Sequence, residues 1–253
     1  MRRVTFSNSR DLTLVGDLHS NKGTSVIIMC HGFLSNRSSR GRFDFFASVF
    51  HQLGFSVLRF DFGGCGESED SPLTLANEVD DLTSAMHYAI ESGYVDIILY
   101  GHSLGARVCL EAFNNRYVRT MILTGAGTGP VKYHWPDIFN QEQLTDLAKT
   151  GTFTVEVNVP YRNNMLITEE MLKDFERCDQ EQLLSNVTCP ILLIHGDQGE
   201  EGILMPITKK GIKWLPESSK LKVIKGAEHS FIDHLDVVQQ TASDWLLAFA
   251  NEG

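Results

Sequence analysis

The chain has 253 residues, 42% hydrophobic and 21% charged, an ordinary globular composition that excludes a disordered chain or a fibrous repeat. That length suits one large domain, or one domain carrying an insertion, able to bury roughly 70–75% of its unfolded surface. A formal net charge of −10 argues against nucleic acid or an anionic membrane as partner, because binding a polyanion needs a basic face that releases counterions.

The first residues, MRRVTFSNSR, run directly into alternating strand-like sequence. They carry no apolar core of a signal peptide, and no membrane-length apolar run follows, so a cytoplasmic protein without membrane insertion is expected. Arg3 to Phe6 and Leu12 to Leu18 are separated only by SNSRD, too short for a crossover helix, and read as an antiparallel hairpin at one sheet edge. Short apolar runs rich in β-branched residues then recur: Ser25 to Met29, Phe55 to Phe60, Val95 to Tyr100, Met121 to Thr124, Ile191 to Ile194 and Leu221 to Ile224. Alternating with helical stretches, they predict an α/β fold whose central sheet is mostly parallel, with helices on both faces.

The stretch between Gly125 and Ile191 breaks this rhythm. We expect a core of residues 1–129 and 189–253 and a small inserted cap over residues 130–188. Within the cap, Gln141 to Lys149 and Thr168 to Cys178 read as helices, the second capped by Thr168, and Thr152 to Val159 alternates like one strand of a hairpin. Pro160, Tyr161 and Met165 offer apolar surface that could face a ligand or pack the lid. The five cysteines, Cys30, Cys65, Cys109, Cys178 and Cys189, are an odd number without a CxxC pair, so neither a disulfide framework nor a zinc site is expected.

The strongest chemical signal is Gly101-His102-Ser103-Leu104-Gly105, at the end of the apolar run VDIILY and the start of the helical pattern LGARVCLEAF. A nucleophile on such a strand-turn-helix corner needs small residues two before and two after it, and Gly101 and Gly105 meet that need. A serine hydroxyl is a weak nucleophile until a base takes its proton. His229, in GAEHSF after the last strand, is the expected base. His51, His87 and His134 precede any suitable acid, and His234 is expected inside the C-terminal helix. The oxyanion of a tetrahedral intermediate needs pre-placed donors, here expected to be the backbone N–H groups of Leu104 and of Phe33 after the strand SVIIMC. His31, Gly32 and His102 are assigned to the substrate-binding lining. After ILLI, the carboxylates Asp197, Glu200 and Glu201 are the candidates to orient His229. The glycines of DFGGCGES lack dinucleotide-binding spacing, so no organic cofactor and no metal is expected.

HGFLSNR from His31 to Arg37, RFDFGGCGES from Arg59 to Ser68, NEVDDL from Asn77 to Leu82, GHSLG, PILLIHGD from Pro190 and GAEHSF from Gly226 make the chain resemble the α/β hydrolases. Within them it looks like the small bacterial cinnamoyl or feruloyl esterases. The resemblance implies the α/β-hydrolase fold and ester hydrolysis through an acyl-enzyme, with Phe33 and Leu104 holding the oxyanion. It also places the acid four residues after the histidine of the IHG turn, where this chain has Gly199. A loop from Gly199 to Pro206, longer than the family's, would then bring Glu200, or else Asp197, into the acid's place. The expected activity is a serine hydrolase cleaving a small-molecule carboxylic ester, with homodimer formation left open. The alternatives are a thioesterase or another hydrolase on the same fold, and a non-catalytic ligand-binding protein that has lost its acid at Gly199.

Overall fold

The computed structural model describes residues 1–159 and 161–250, for residues 249 and 250 the backbone only, so Pro160 lies outside the described residues. Eight strands form the main sheet. They are β1 (Arg2–Ser7), β2 (Thr13–His19), β3 (Ser25–Cys30), β4 (Ser56–Phe60), β5 (Asp96–His102), β6 (Val118–Thr124), β9 (Ile191–His195) and β10 (Lys220–Val223). Their spatial order is β1-β2-β4-β3-β5-β6-β9-β10. β1 pairs antiparallel with β2 and β2 with β4, while every other pairing is parallel. The hairpin edge expected from the short SNSRD connection is present, with Arg2 opposite Leu18 and Ser7 opposite Thr13. β4 and β9 are buried along their whole length because helices cover both faces, and this is why they read as unbroken apolar runs.

On one face, α1 (Arg42–Gln52) and α8 (Leu235–Ala250) pack Phe43, Phe46, Phe50, Val238, Trp245 and Leu246 against Ile27, Met29 and Val57. On the other, α2 (Leu75–Glu91) and α3 (Leu104–Glu111) bury Leu82, Met86 and Val108. Thr74 starts α2 by accepting from the Asn77 amide at 3.0 Å.

The chain leaves the sheet after β6 and returns at β9. In between lie a 3₁₀ turn at Trp135–Asp137, α4 (Gln141–Thr150), the antiparallel pair β7 (Thr152–Val159) and β8 (Arg162–Thr168), α5 (Glu169–Asp174) and α6 (Gln180–Ser185). Asn140 opens α4 with a capping box and Thr168 caps α5 through the Met171 amide at 3.0 Å. Phe139, Phe153, Ile167 and Met171 from this segment join the same apolar cluster as Leu99 and Val108, so it packs onto the sheet side of the molecule. The β7–β8 pair is also tied to the turn after β4: the Leu73 amide donates to the Leu166 carbonyl at 3.1 Å, Thr168 Oγ1 to the Leu73 carbonyl at 2.8 Å, and Arg162 Nη2 to the Ser68 carbonyl at 2.6 Å.

The paired motifs HGFLSNR and RFDFGGCGES turn out to brace each other. Arg37, buried, bonds Asp61 through both its backbone amide and its guanidinium, and reaches Asp17 at 2.8 Å and Glu67 at 2.5 Å. The segment from Gly199 to Pro206, expected as a long loop, is the start of a helix, α7 (Glu201–Gly211), with Pro206 inside it. His234, expected in the C-terminal helix, ends a 3₁₀ turn at Ile232–His234 just before α8. The five cysteines are free thiols, all but Cys178 buried, and among the described residues no helix is long and apolar enough to cross a membrane.

Candidate active site

Ser103 stands on the corner between β5 and α3 with φ 56° and ψ −123°, a conformation that costs an ordinary residue energy and persists only where the surroundings enforce it. The enforcement is steric. A Cβ on Gly105 would sit 2.2 Å from the Cys30 carbonyl oxygen, and one on Gly101 would sit 2.6 Å from Cα of Ala106. Glycine at both positions lets the first turn of α3 close onto β3 and pushes Ser103 out into a cleft.

Ser103 Oγ lies 2.8 Å from Nε2 of His229, and His229 Nδ1 lies 2.6 Å from Oε1 of Glu201. The carboxylate behind the histidine is therefore Glu201, and this corrects the expectation of Glu200 or Asp197. Glu200 turns the other way: its Oε1 accepts from the Tyr133 hydroxyl at 2.5 Å, and its Oε2 stands 3.7 Å from His229 Nε2, on the wrong side of the ring to orient it. Asp197 is half-buried and accepts from the Gly226 amide at 2.8 Å and from Gln198 at 2.9 Å. Adjacent residues at a helix start point about 100° apart, so Glu201 faces inward where Glu200 faces the cleft.

Glu201 is fully buried. Burial alone would raise its carboxyl, but the hydrogen bonds from His195 and His229 and their charges outweigh that and hold it down at about 2. Gly125, with φ +57° at the end of β6, lies under this pair; a Cβ there would come 2.7 Å from His229 Cε1 and 2.8 Å from Glu201 Oε1.

The loop after β3 lies against the nucleophile, since a Cβ on Gly32 would be 3.1 Å from the Ser103 Cβ. Among the described residues neither the Phe33 nor the Leu104 backbone N–H has a hydrogen-bond acceptor, and both residues border cavities that contain Ser103. Gly32 and His102 also border the wider of these cavities. His31 does not. It is buried, with Nδ1 2.9 Å from the Gly32 carbonyl oxygen and Nε2 accepting from the Phe62 amide at 3.3 Å, so both ring nitrogens are spent on shaping the loop. Burial lowers its readiness to take a proton. His102 is likewise occupied, by Thr124 Oγ1 at 3.0 Å and Arg42 Nη1 at 3.2 Å, and burial, with Arg42 and His229 adding to it, drives its pKa well down.

Ser103 joins two cavities of different character. A narrow inner pocket of about 30 Å³ is lined mainly by Leu75, Leu104, Val131, Met171, Phe175 and Leu204, with Arg107 and Asp174 as its charged members. An open cleft of about 440 Å³ is bordered by Ser35, Arg40, Arg42, Glu200, Glu228 and Ser230. Of the apolar cap residues expected to face a ligand, Met165 borders a separate hollow beside Arg162 and Tyr161 is 72% exposed with Arg37 over its ring. The residues between β6 and β9 that share the inner pocket with Ser103 include Val131, Tyr133, Met171, Asp174 and Phe175. Among the described residues no group of three or more His, Cys, Asp or Glu side chains is arranged to hold a metal ion.

A family model described as alpha/beta hydrolase fold matches residues 25–186. By sequence the chain is 23% identical over 207 residues to the lysophosphatidylserine lipase ABHD12 of Danio rerio, a match covering 82% of this chain and 50% of that protein. The chain thus spans about half the length of that relative. Among solved structures it is similar to Est1E from Butyrivibrio proteoclasticus with ferulic acid bound, at TM-score 0.76 and 19% identity over 97% of this chain and 98% of that one. It is also similar to a thermophilic esterase from Thermogutta terrifontis, at TM-score 0.70 and 18% identity over 98% and 99% of the two chains. The family match spans β3 to β6 and the nucleophile corner, well over half of the chain, and the chain belongs to the α/β-hydrolase fold family.

Proposed function

We propose that this protein is a serine hydrolase of small carboxylic esters, acting through an acyl-enzyme on Ser103. The observation that carries the reading is the continuous line from Ser103 Oγ to His229 Nε2 at 2.8 Å and from His229 Nδ1 to Glu201 at 2.6 Å. In the forward step Ser103 Oγ attacks the ester carbonyl while its proton passes to His229, and Glu201 balances the imidazolium that forms. The amides of Phe33 and Leu104 take the carbonyl oxygen as it becomes an oxyanion, aided by the positive end of α3. His229 then gives its proton to the leaving alcohol. Water repeats the cycle to free the acid. Glu201 also supplies the carboxylate whose absence at position 199 motivated the non-catalytic alternative.

The two cavities divide the substrate. The inner pocket receives the acyl group. At about 30 Å³ it has room for a short, slim chain, and a hydroxycinnamoyl group would need Met171 and Phe175 to move. The open cleft receives the leaving group, and the segment between β6 and β9 acts as a cap that closes the acyl side.

A fluorescent fluorophosphonate and a panel of p-nitrophenyl esters test the reading. The wild type should label and turn over acetyl or butyryl esters, and Ser103→Ala should lose labelling and about a millionfold in kcat. Comparable turnover by the alanine variant would overturn it.

A further inference from the structure

The second oxygen of Glu201 is held as firmly as the first. Oε2 lies 2.6 Å from His195 Nδ1 and 3.2 Å from the Gly196 amide. His195 Nε2 lies 3.0 Å from Thr208 Oγ1, which lies 2.9 Å from Thr128 Oγ1. His195 ends β9, Thr208 comes from α7 and Thr128 from the loop after β6, and none of the four side chains is more than 1% exposed.

An ionised carboxylate only accepts, so His195 Nδ1 must carry its hydrogen, and the other ring nitrogen, Nε2, is held by the Thr208 hydroxyl, itself paired with that of Thr128. We propose that His195 is a positioning residue of the triad: a ring, aimed by Thr208, that grips Glu201 Oε2 so that Oε1 meets His229. The proposal rests on the hydrolase reading.

The need for such a grip follows from the acid being a glutamate. Its extra methylene gives one more rotatable bond than aspartate, and a long side chain loses roughly 1.5–2 kcal/mol of rotamer freedom when immobilised. Gripping both oxygens from opposite sides leaves one orientation. Other polar and titratable groups around the pair are Tyr133 and Glu200 on the cleft side, His102 with its ring centroid 5.1 Å from that of His229, and Asp197 on the preceding turn.

Two amide substitutions separate positioning from packing. In His195→Asn the amide nitrogen can take the place of Nδ1 and still donate to Glu201, whereas in His195→Gln it falls nearer the place of Nε2. His195→Gln should lower kcat about 10–100-fold, the scale seen when an orienting partner is removed, with KM within about twofold. The acidic limb of its kcat profile should move to higher pH, because Glu201 loses a donor that keeps it ionised. His195→Asn should recover most of the activity and return the limb. Equal losses in both variants with an unmoved limb, or full activity in His195→Gln, would overturn the proposal. The downfield proton resonance between His229 and Glu201 gives a readout independent of turnover. It should shift in His195→Gln and return in His195→Asn even if the wild type hydrolysed no ester, an outcome that would sink only the hydrolase reading.

Discussion

The guanidinium of Arg42 donates to the carbonyl oxygen of Ser230 at 2.6 Å, joining positions 188 apart in sequence. The same Nη1 lies 3.2 Å from His102 Nε2. Arg42 therefore ties the residue before the nucleophile to the residue after the histidine, and the spacing between Ser103 and His229 depends on it. Arg42→Met should lower kcat about 100-fold, the penalty for a misplacement near 1 Å, while thermal unfolding stays cooperative. Arg42→Lys should not rescue it, because an ammonium has no counterpart of the Nη2 and Nε bonds to Ser39 that aim Nη1 at both acceptors. Steady-state kinetics on a p-nitrophenyl ester decides, and an unchanged kcat in Arg42→Met would remove the brace from the account.

The three carboxylates after β9 should separate sharply. Glu201→Gln is expected to cost about 10⁴-fold in kcat, as loss of the orienting acid does in other triads. Glu200→Gln and Asp197→Asn should each stay within about tenfold of wild type, since neither meets His229 Nδ1. If Glu200→Gln were the crippled variant, the orientation of the start of α7 would be wrong.

Gly125→Ala adds one methyl to the molecule, directed at His229 and Glu201, at a backbone angle that favours glycine. We expect a folded protein whose fluorophosphonate labelling slows by about two orders of magnitude. Labelling at the wild-type rate would show that the pair tolerates displacement.

Two buried glutamates should pull acid stability in opposite directions. Glu201, held down at about 2, contributes stability that is fully present above its ordinary value near 4.5 and is lost as pH falls toward 2. Glu78 in α2 is the reverse: burial first, and the nearby Asp81 second, push its carboxyl well up, and its Oε2 has no hydrogen-bond partner among the described residues. Below about 4.5 it is protonated folded or unfolded and costs nothing; above that the folded state is penalised as pH rises. Glu78→Gln should therefore raise Tm at pH 7.5, by roughly 2–4 °C for each kcal/mol relieved, and leave Tm near pH 4 unchanged. Differential scanning fluorimetry across this range reads both effects, and a destabilised Glu78→Gln at pH 7.5 would count against the argument.

What the sequence made legible was local or ordered along the chain. GHSLG at a strand end announces its own geometry, because the glycines two positions either side of Ser103 are steric requirements of the turn. The sheet was legible in its apolar runs, because strands covered on both faces have no polar register to obscure them. The acid was not, because Glu200 and Glu201 differ only in which way each leaves α7, and that depends on the residue at which the helix starts. Gly125 was overlooked although GAGTG directly follows β6, since its role lies in side chains that arrive from two distant places, the start of α7 and the loop after β10. His31 was read as lining the site when its ring nitrogens serve the Gly32 carbonyl and the Phe62 amide, bonds that no spacing in the chain announces.

The mooring of the β7–β8 pair to Ser68 and Leu73 would set which way substrates travel in the proposed reaction. Lifting that hairpin would break backbone and arginine hydrogen bonds together, so on the proposed reading traffic to Ser103 would run through the mouth edged by Arg40 and Glu228. Any widening of the acyl side falls instead to the stretch carrying Tyr133 and to the short helix bearing Met171. A change of acyl preference can then arise by altering those few side chains, with the hairpin and the catalytic corner left as they are.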